Sequence, residues 1–296
     1  MRCLNRTILF LLLITPMASS AGLPHIGRDA SATANSAGAA TASTAPEDDR
    51  DRYVADVRVL LNPDRFDRLD QEAASVRSGR IRFSGGSWKL PRLYEAITEP
   101  TGGSEAPDAD WEGLLTKLKK WCAQKPDSIT ARVALAETYS HYAWKARGKA
   151  YANKVTDEGW RLFEERLRLA RATLDEASAL TEKCPEWYAA MQTVAMGQGW
   201  DRDRAAELLQ QAITFEPAYD FYYRAFALYL LPKWSGDEGD SERFAEEISN
   251  KIGGQQGDVI YFEIARELRC DCMQEMSWER IQRGYAALGS LYGTST

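Results

Sequence analysis

The stretch AAELLQQAITFEP, residues 205–217, decides the fold class of this chain of 296 residues. Its alanine and leucine side chains recur three and four residues apart, which is the spacing of one face of an α-helix, and the final proline stops the helix. The same spacing occurs upstream of Pro126, in Trp111, Leu114, Leu115, Leu118 and Trp121. Alternating β-branched residues are missing, apart from a short stretch around residues 80–90. The sequence therefore predicts an all-α protein.

These helical stretches resemble a known repeat. The pattern Ala-x3-Leu-x2-Ala-x4-Pro of residues 205–217 resembles the second helix of a tetratricopeptide repeat. A looser copy of this pattern is formed by Ala170, Leu174, Ala177 and Pro185. A pattern that resembles the first helix of the repeat is formed by Leu135, Ala136 and Tyr139. Pro185 and Pro217 are 32 residues apart, close to the repeat length of about 34 residues. The resemblance implies a right-handed α-solenoid of helical hairpins over residues 105–296.

One repeat is longer than the others. Pro126 and Pro185 are 59 residues apart, which is one repeat plus about 25 residues. This spacing predicts an extension of two paired helices around residues 140–168.

The N-terminus has the layout of a secretory signal peptide. Arg2 and Arg6 precede a short apolar run at residues 8–14, and small residues follow at 18–21. The run is shorter than the roughly 18–20 residues that cross a bilayer. We therefore predict a signal peptide at residues 1–21, no membrane span after its cleavage, and a periplasmic or secreted protein. The small and polar residues 22–50 predict a disordered linker.

Residues 51–104 are expected to form a separate N-terminal cap. Two short helices are predicted, at Tyr53–Leu61 and Phe66–Val76. Gly85-Gly86 lies between two short arms, Ile81–Phe83 and Ser87–Leu90, and this arrangement predicts a small β-hairpin. A helix/β-hairpin cap would cover the first repeat, because the ends of a solenoid expose apolar faces.

A second resemblance rests on the order of four local motifs along residues 53–292. These are Gly85-Gly86-Ser87-Trp88-Lys89-Leu90, Trp144-x2-Arg147-Gly148-x2-Tyr151-Ala152, Leu230-Leu231-Pro232-Lys233-Trp234-Ser235-Gly236 and Trp278-x2-Ile281-x2-Gly284-Tyr285. This order resembles a group of exported bacterial proteins with an uncharacterised domain built on tetratricopeptide-like helices. The resemblance implies an order of elements and no activity.

Composition excludes some classes of function. Lys and Arg number 37 and Asp and Glu 43, for a formal net charge of −6, so the chain is not a strongly basic nucleic-acid binder. It has two histidines and neither a glycine-rich phosphate loop nor a Gly-x-Ser-x-Gly motif. We therefore expect no catalysis, no cofactor, no metal and no nucleic-acid partner.

Cysteine use follows from the predicted export. Cys122, Cys184, Cys270 and Cys272 remain after cleavage, and an oxidising compartment makes disulfides plausible. Four cysteines allow three complete pairings. Cys122 and Cys184 both precede prolines near predicted helix ends, and a bridge between them is the predicted pair. The run Cys270–Met273 also offers soft ligands for Cu(I), but disulfide or core use is favoured because no histidine accompanies it.

Aromatic residues are concentrated in the middle of the chain, and aromatic side chains beside arginine are typical binding anchors. Alignment with the first helices of the repeats gives six candidates for a concave groove: Glu137, Ser140, His141, Trp187, Phe221 and Arg224. Glu137 lies four residues before His141, so a general-base pair is one interpretation.

The sequence favours an exported adaptor that binds a protein or a peptide through this groove. One alternative is a small-ligand receptor or enzyme that uses an aromatic pocket near Trp144, Trp160 and Trp234. Another is a structural or inhibitor protein of the cell envelope.

Overall fold

Helices make up the regular structure of the protein. The computed structural model describes residues 46–269 and 276–293, and in these residues the chain forms twelve α-helices and no strand. The all-α prediction is therefore confirmed. The helices are α1 (Pro46–Leu61), α2 (Phe66–Ser78), α3 (Lys89–Thr98), α4 (Asp108–Gln124), α5 (Ile129–Arg147), α6 (Asp157–Ser178), α7 (Pro185–Gly197), α8 (Arg202–Phe215), α9 (Phe221–Tyr229), α10 (Asp240–Ile252), α11 (Gly254–Leu268) and α12 (Trp278–Tyr292).

The predicted signal peptide and most of the predicted linker lie outside the described residues. Because α1 begins at Pro46, the last five residues of that linker are helical. Proline suits the first position of a helix, where its missing N–H has no partner in any case. Across the described ranges, no helix combines the length and the apolar character needed to cross a bilayer.

Side-chain caps fix where several helices begin. The Ser128 hydroxyl accepts a hydrogen bond from the Ala131 N–H at 2.9 Å, the Thr156 hydroxyl one from Gly159 at 3.0 Å, and the Asp201 carboxylate one from Arg204 at 2.9 Å. Each cap satisfies a backbone donor that the first turn of a helix leaves without a partner. These caps start α5, α6 and α8.

The longest helices are α5 and α6, and they pack against each other along their length. Their facing ends correspond to the paired extension predicted around residues 140–168. Further along the chain, α5 contacts α7, α7 contacts α9, and α9 contacts α11. Helices α6, α8 and α10 each contact the helix that precedes them and the helix that follows them in the sequence. We call α5, α7, α9 and α11 the central row.

Two apolar cores meet at α9. Tyr222 and Phe226 pack into the core that extends from α1 to α8, whereas Tyr223 and Leu228 pack into a second core with α10, α11 and α12. Helix α9 is therefore covered on nearly all sides. Its Tyr222 and Tyr223 are both fully buried although they are adjacent in sequence.

The predicted β-hairpin is wrong. Gly85 and Gly86 do form a turn with positive φ angles, but a single antiparallel bridge between Arg82 and Trp88 is the extent of the pairing. The second arm is missing because α3 begins at Lys89. Residues 51–104 thus contain α1, α2 and α3, with a short bridged turn between α2 and α3. The two predicted helices of this region are present as α1 and α2.

Close approach of α11 and α12 depends on Gly284. A Cβ atom at this position would lie 2.3 Å from the Asp258 carbonyl oxygen and 2.5 Å from the Phe262 Cβ. We expect Gly284→Ala to lower the free energy of unfolding by about 2 kcal/mol, because α12 must move away from α11. Urea unfolding measures the change.

Gly113, in the middle of α4, is the matched control because a Cβ there meets nothing within 4 Å. Gly113→Ala should raise the free energy of unfolding by about 0.5–1 kcal/mol, since alanine is the better helix former. A Gly284→Ala protein no less stable than the Gly113→Ala protein would contradict the close packing.

Candidate functional site

Carboxylates follow one another along the central row. Glu137 lies on α5, Glu186 at the start of α7, Asp220 directly before α9, and Glu267 on α11. Glu99, which directly follows α3, lies close enough to Glu137 to raise its pKa by charge repulsion, so it is the first member of the row. We call these five residues the acidic row. Carboxylates are rarely buried without partners, so each must be explained by what surrounds it.

Glu137 and Glu186 form a pair inside the protein. Both are buried, they are hydrogen-bonded to each other, and the Tyr219 hydroxyl donates a hydrogen bond to Glu186 Oε2. Burial raises the pKa of Glu186 to about 7, and burial together with the Glu186 charge raises the pKa of Glu137 well above its usual value. Two carboxyl groups this close cannot both be ionised at low cost, so the pair holds a proton.

Arg224 supplies the buried positive charge of the row. Its Nη1 donates to Asp220 Oδ2 at 3.1 Å, and its Nη2 and Nε donate to Glu267 Oε2 at 2.8 and 3.2 Å. Burial disfavours its charge, but Glu267 and Asp220 more than offset that cost and raise the pKa of Arg224. Arg224 therefore joins α9 to α11 as a permanent cation.

The predicted pair of Glu137 and His141 is not formed. His141 Nδ1 instead lies 3.4 Å from Glu99 Oε1, and these side chains are 22% and 15% exposed. Ser140 is buried, and its hydroxyl has no hydrogen-bond partner among the described residues. His141 and Glu99 are thus the end of the acidic row nearest to solvent.

The remaining two candidates lie apart from each other. Phe221 packs on Tyr219 with ring centroids 5.4 Å apart, and the Arg224 guanidinium lies 4.5 Å from the Phe221 centroid. The Trp187 indole donates to the Leu174 carbonyl oxygen of α6 at 2.8 Å. Five of the six groove candidates therefore lie along the acidic row, and Trp187 faces the neighbouring helix. Glu137, Ser140 and Arg224 are too buried to touch a partner directly.

The predicted disulfide between Cys122 and Cys184 is wrong, because both cysteines are free in the structure. Their thiols face different neighbours. Cys184 precedes α7 and lies 3.4 Å from the Tyr94 hydroxyl of α3, whereas the Cys122 thiol is influenced by Arg132 of α5. Burial raises the pKa of each thiol to about 11. Cys270 and Cys272, with the possible copper ligands around them, lie outside the described residues.

A basic segment lies beside the middle of the acidic row, where Glu186 and Asp220 begin α7 and precede α9. Arg77 pairs with Glu182, and Arg80 Nε lies 2.6 Å from Glu216 Oε2. Arg82 Nη2 donates to the Ala218 carbonyl oxygen at 3.1 Å. These three acceptors lie in the connections before α7 and before α9. We call Glu182, Glu216 and the Ala218 carbonyl the acidic edge.

An aromatic contact completes this arrangement. Trp88, which is buried, lies edge-on against Tyr219 with ring centroids 5.0 Å apart, and Arg82 lies 3.9 Å from the Trp88 ring centroid. Tyr219 also holds Glu186. The segment from Arg77 to Trp88 therefore reaches the acidic row through Tyr219, which bonds Glu186.

The aromatic side chains proposed as a pocket pack on one another. Trp144 contacts both Phe163 and Trp234 edge-on, at centroid distances of 4.8 and 5.6 Å, and Trp160 contacts Phe163 at 5.7 Å. Rings in this arrangement stabilise a core through their edges and faces. In residues 46–269 and 276–293, no three His, Cys, Asp or Glu side chains are grouped to hold a metal ion.

Several residues of the site were missed from the sequence, although some left a signal. Asp220 lies four residues before Arg224, which is the spacing of a helical ion pair. Glu267 lies on the same face of α11 as Ile260 and Ile264, and a carboxylate on an apolar face indicates a buried partner. Glu186 and Tyr219 carry no such signal, because their contact joins segments that are distant in sequence.

Residues 53–200 match the family model described as a domain of unknown function, DUF4034. The chain belongs to the DUF4034 family. No curated protein and no solved structure matches the chain.

The DUF4034 match divides the acidic row. It extends from α1 to the end of α7 and includes Glu99, Glu137 and Glu186. It also includes the basic segment and Glu182. Asp220, Arg224 and Glu267 follow the DUF4034 region, on the helices that carry the second core. The proton-holding pair thus belongs to the family region, and the arginine cluster lies wholly in the residues that follow it.

Proposed function

We propose that this protein is an exported adaptor of the helical-repeat type, and that it binds an extended, basic segment of a protein partner at the acidic edge. No catalytic step is part of this proposal. The observation that carries it is the position of the chain's own arginines on Glu182, Glu216 and the Ala218 carbonyl. This edge already accepts Arg77 from the end of α2 and Arg80 and Arg82 from the irregular segment that follows it, and such a segment is the kind of ligand that the proposal assigns to the edge.

The arrangement of helices supports the adaptor. Each helix of the central row contacts the next, with α6, α8 and α10 packed beside them. This succession of contacts supports the right-handed α-solenoid that the tetratricopeptide resemblance implies and that we propose here. Such arrays present long surfaces whose connections lie at common edges, and they bind segments of other proteins. Export follows from the signal peptide that the N-terminal sequence predicts.

Charge favours a basic partner. The chain carries a net charge of −6, and the carboxylates of the acidic edge lie next to those of the acidic row. Arg80 is 65% exposed, whereas the Glu216 carboxylate beneath it is 9% exposed. An arginine of the partner would replace Arg80 by rotation of one exposed side chain. Bidentate pairing makes arginine the better ligand for such a carboxylate than lysine.

A peptide-binding measurement tests the proposal. The probe is a fluorescent peptide with the sequence of residues 77–89, and its anisotropy is followed as the protein made from the full chain is added. Arg80→Ala should bind the peptide about ten-fold more tightly than the wild type, because it uncovers Glu216 and removes the internal competitor. Arg80→Ala combined with Glu216→Gln should lose this gain.

Two controls make the result specific. Arg161→Ala removes an equally exposed arginine on α6, which pairs with Glu158 and Glu165 away from the edge, and should leave binding as in the wild type. A probe with glutamate in place of its three arginines should not bind. Equal affinity of the wild type and Arg80→Ala, or full binding after Glu216→Gln, would contradict the proposal.

A further inference from the structure

Two aromatic side chains on the last helix face solvent. Trp278 is 63% exposed and Tyr285 is 66% exposed. Both lie on α12, whereas most aromatic residues of the described chain are buried or half-buried. Exposed aromatics at this position indicate an interaction surface.

The rest of α12 is already occupied. Ile281, Gly284 and Ala287 are buried against α11, with Gly284 at the closest approach. Seven residues separate Trp278 from Tyr285, so both project from one side of the helix, about 10.5 Å apart along its axis. Gln282 lies between them on this side and is exposed.

Charged residues run beside the aromatics. Glu279 is 81% exposed and Arg283 is 49% exposed, and the two pair along the helix with Arg283 Nη1 2.9 Å from Glu279 Oε1. The helical period of 3.6 residues places Glu279 and Arg283 along one border of the exposed face of α12, and Trp278 and Tyr285 along its other border. The free face of α12 therefore has an aromatic flank and a charged flank of opposite signs.

We propose that this face of α12 binds the same face of a second copy of the protein, with the two helices antiparallel about a two-fold axis. An axis near residues 281 and 282 places Trp278 opposite Tyr285 of the second copy. The same axis places Glu279 opposite Arg283 of the second copy. Antiparallel helices bring equal flanks together, so aromatics meet aromatics and each charge meets its opposite. This self-complementarity is what a two-fold interface requires, and it identifies the occupant as a second copy.

The first test is the oligomeric state of the protein made from the full chain. Sedimentation velocity over two decades of concentration should show a reversible dimer for the wild type. Trp278→Glu combined with Tyr285→Glu should remain a monomer throughout. Tyr151→Glu, which changes an aromatic residue 54% exposed in another part of the molecule, should dimerise like the wild type. A monomeric wild type, or a dimer that survives the double substitution, would overturn the proposal.

Charge reversal gives a second test that does not depend on the aromatics. Glu279→Arg sets arginine against arginine across the axis, and Arg283→Glu sets glutamate against glutamate, so each variant alone should be monomeric. An equimolar mixture should recover the dimer, because every arginine of one copy then faces a glutamate of the other. Circular dichroism of each variant checks its helix content. A mixture as monomeric as its components, beside a dimeric wild type, would overturn the proposal.

Discussion

Replacing Arg224 by methionine is expected to lower the free energy of unfolding by about 3–5 kcal/mol. The guanidinium is buried and holds Asp220 and Glu267 through three hydrogen bonds. Its removal leaves two carboxylates of the acidic row without their cation in a site from which water is excluded. Removing one partner from a buried ion pair costs more free energy than the intact pair contributes, because the remaining charge is still desolvated and no longer has a partner.

Chemical unfolding at neutral pH measures this loss. Arg161→Met is the matched control, because Arg161 also pairs with two carboxylates but is 57% exposed, and it should change the free energy of unfolding far less than Arg224→Met, since exposed ion pairs contribute little. Adding Glu267→Gln to Arg224→Met should recover part of the loss by removing one orphaned charge. A loss from Arg224→Met no larger than that of the control would show that the cluster does not join α9 to α11.

The stability of the protein should also depend on the proton held by Glu137 and Glu186. The pKa of Glu186 is about 7 in the folded protein and 4.5 in the unfolded chain, so the folded state binds more protons between these values. Stability from this group is therefore fully present below pH 4.5 and is lost as the pH rises towards 7. The loss amounts to about 3 kcal/mol.

Glu186→Gln isolates this effect. The amide keeps an oxygen for the Tyr219 hydroxyl and offers an N–H to Glu137, but it does not titrate. The difference in unfolding free energy between Glu186→Gln and the wild type should grow by about 3 kcal/mol in favour of the variant from pH 4.5 to pH 7.5. Glu165→Gln, on the exposed face of α6, should leave the difference constant. Parallel stability curves for Glu186→Gln and the wild type would refute the shared proton.

Much of the fold is readable from local signals. The spacing of Ala205, Leu209 and Ala212 gives α8, and the break at Pro126 with its cap Ser128 gives the boundary between α4 and α5. These signals depend on the period of a helix and on the hydrogen bonds of its first turn. Such determinants lie within a few residues of one another, so they are visible without the tertiary structure.

The errors come from contacts between distant segments. The turn at Gly85 and Gly86 is present, but Lys89 and Leu90 join α3, because Leu90 is buried in the core and a helix buries it better than an isolated two-strand ribbon. Cys184 was assigned to a disulfide from its place at a helix end. Its surroundings, with Tyr94 beside it, depend on how α3 packs against α7, which no local pattern reports.

The candidate site shows the same limit. Phe221 and Arg224 are groove candidates because they align with the first helix of a repeat. Helix α9 buries most of its side chains because a second core covers its other side. Arg224 is buried rather than at a groove, since Glu267 and Asp220 neutralise it. The sequence names only Glu137 of the acidic row, because the burial of the other carboxylates depends on contacts between segments that are distant in sequence.

Mapping where the peptide binds tests whether the acidic edge is the partner site. The probe with the sequence of residues 77–89 would carry a photoreactive benzophenone side chain in place of its tryptophan, and would be cross-linked to the Arg80→Ala protein and mapped by mass spectrometry. We expect cross-links to the connections before α7 and before α9, and we expect them to disappear when Glu216→Gln is added. Cross-links elsewhere that survive Glu216→Gln would contradict the acidic edge as the partner site.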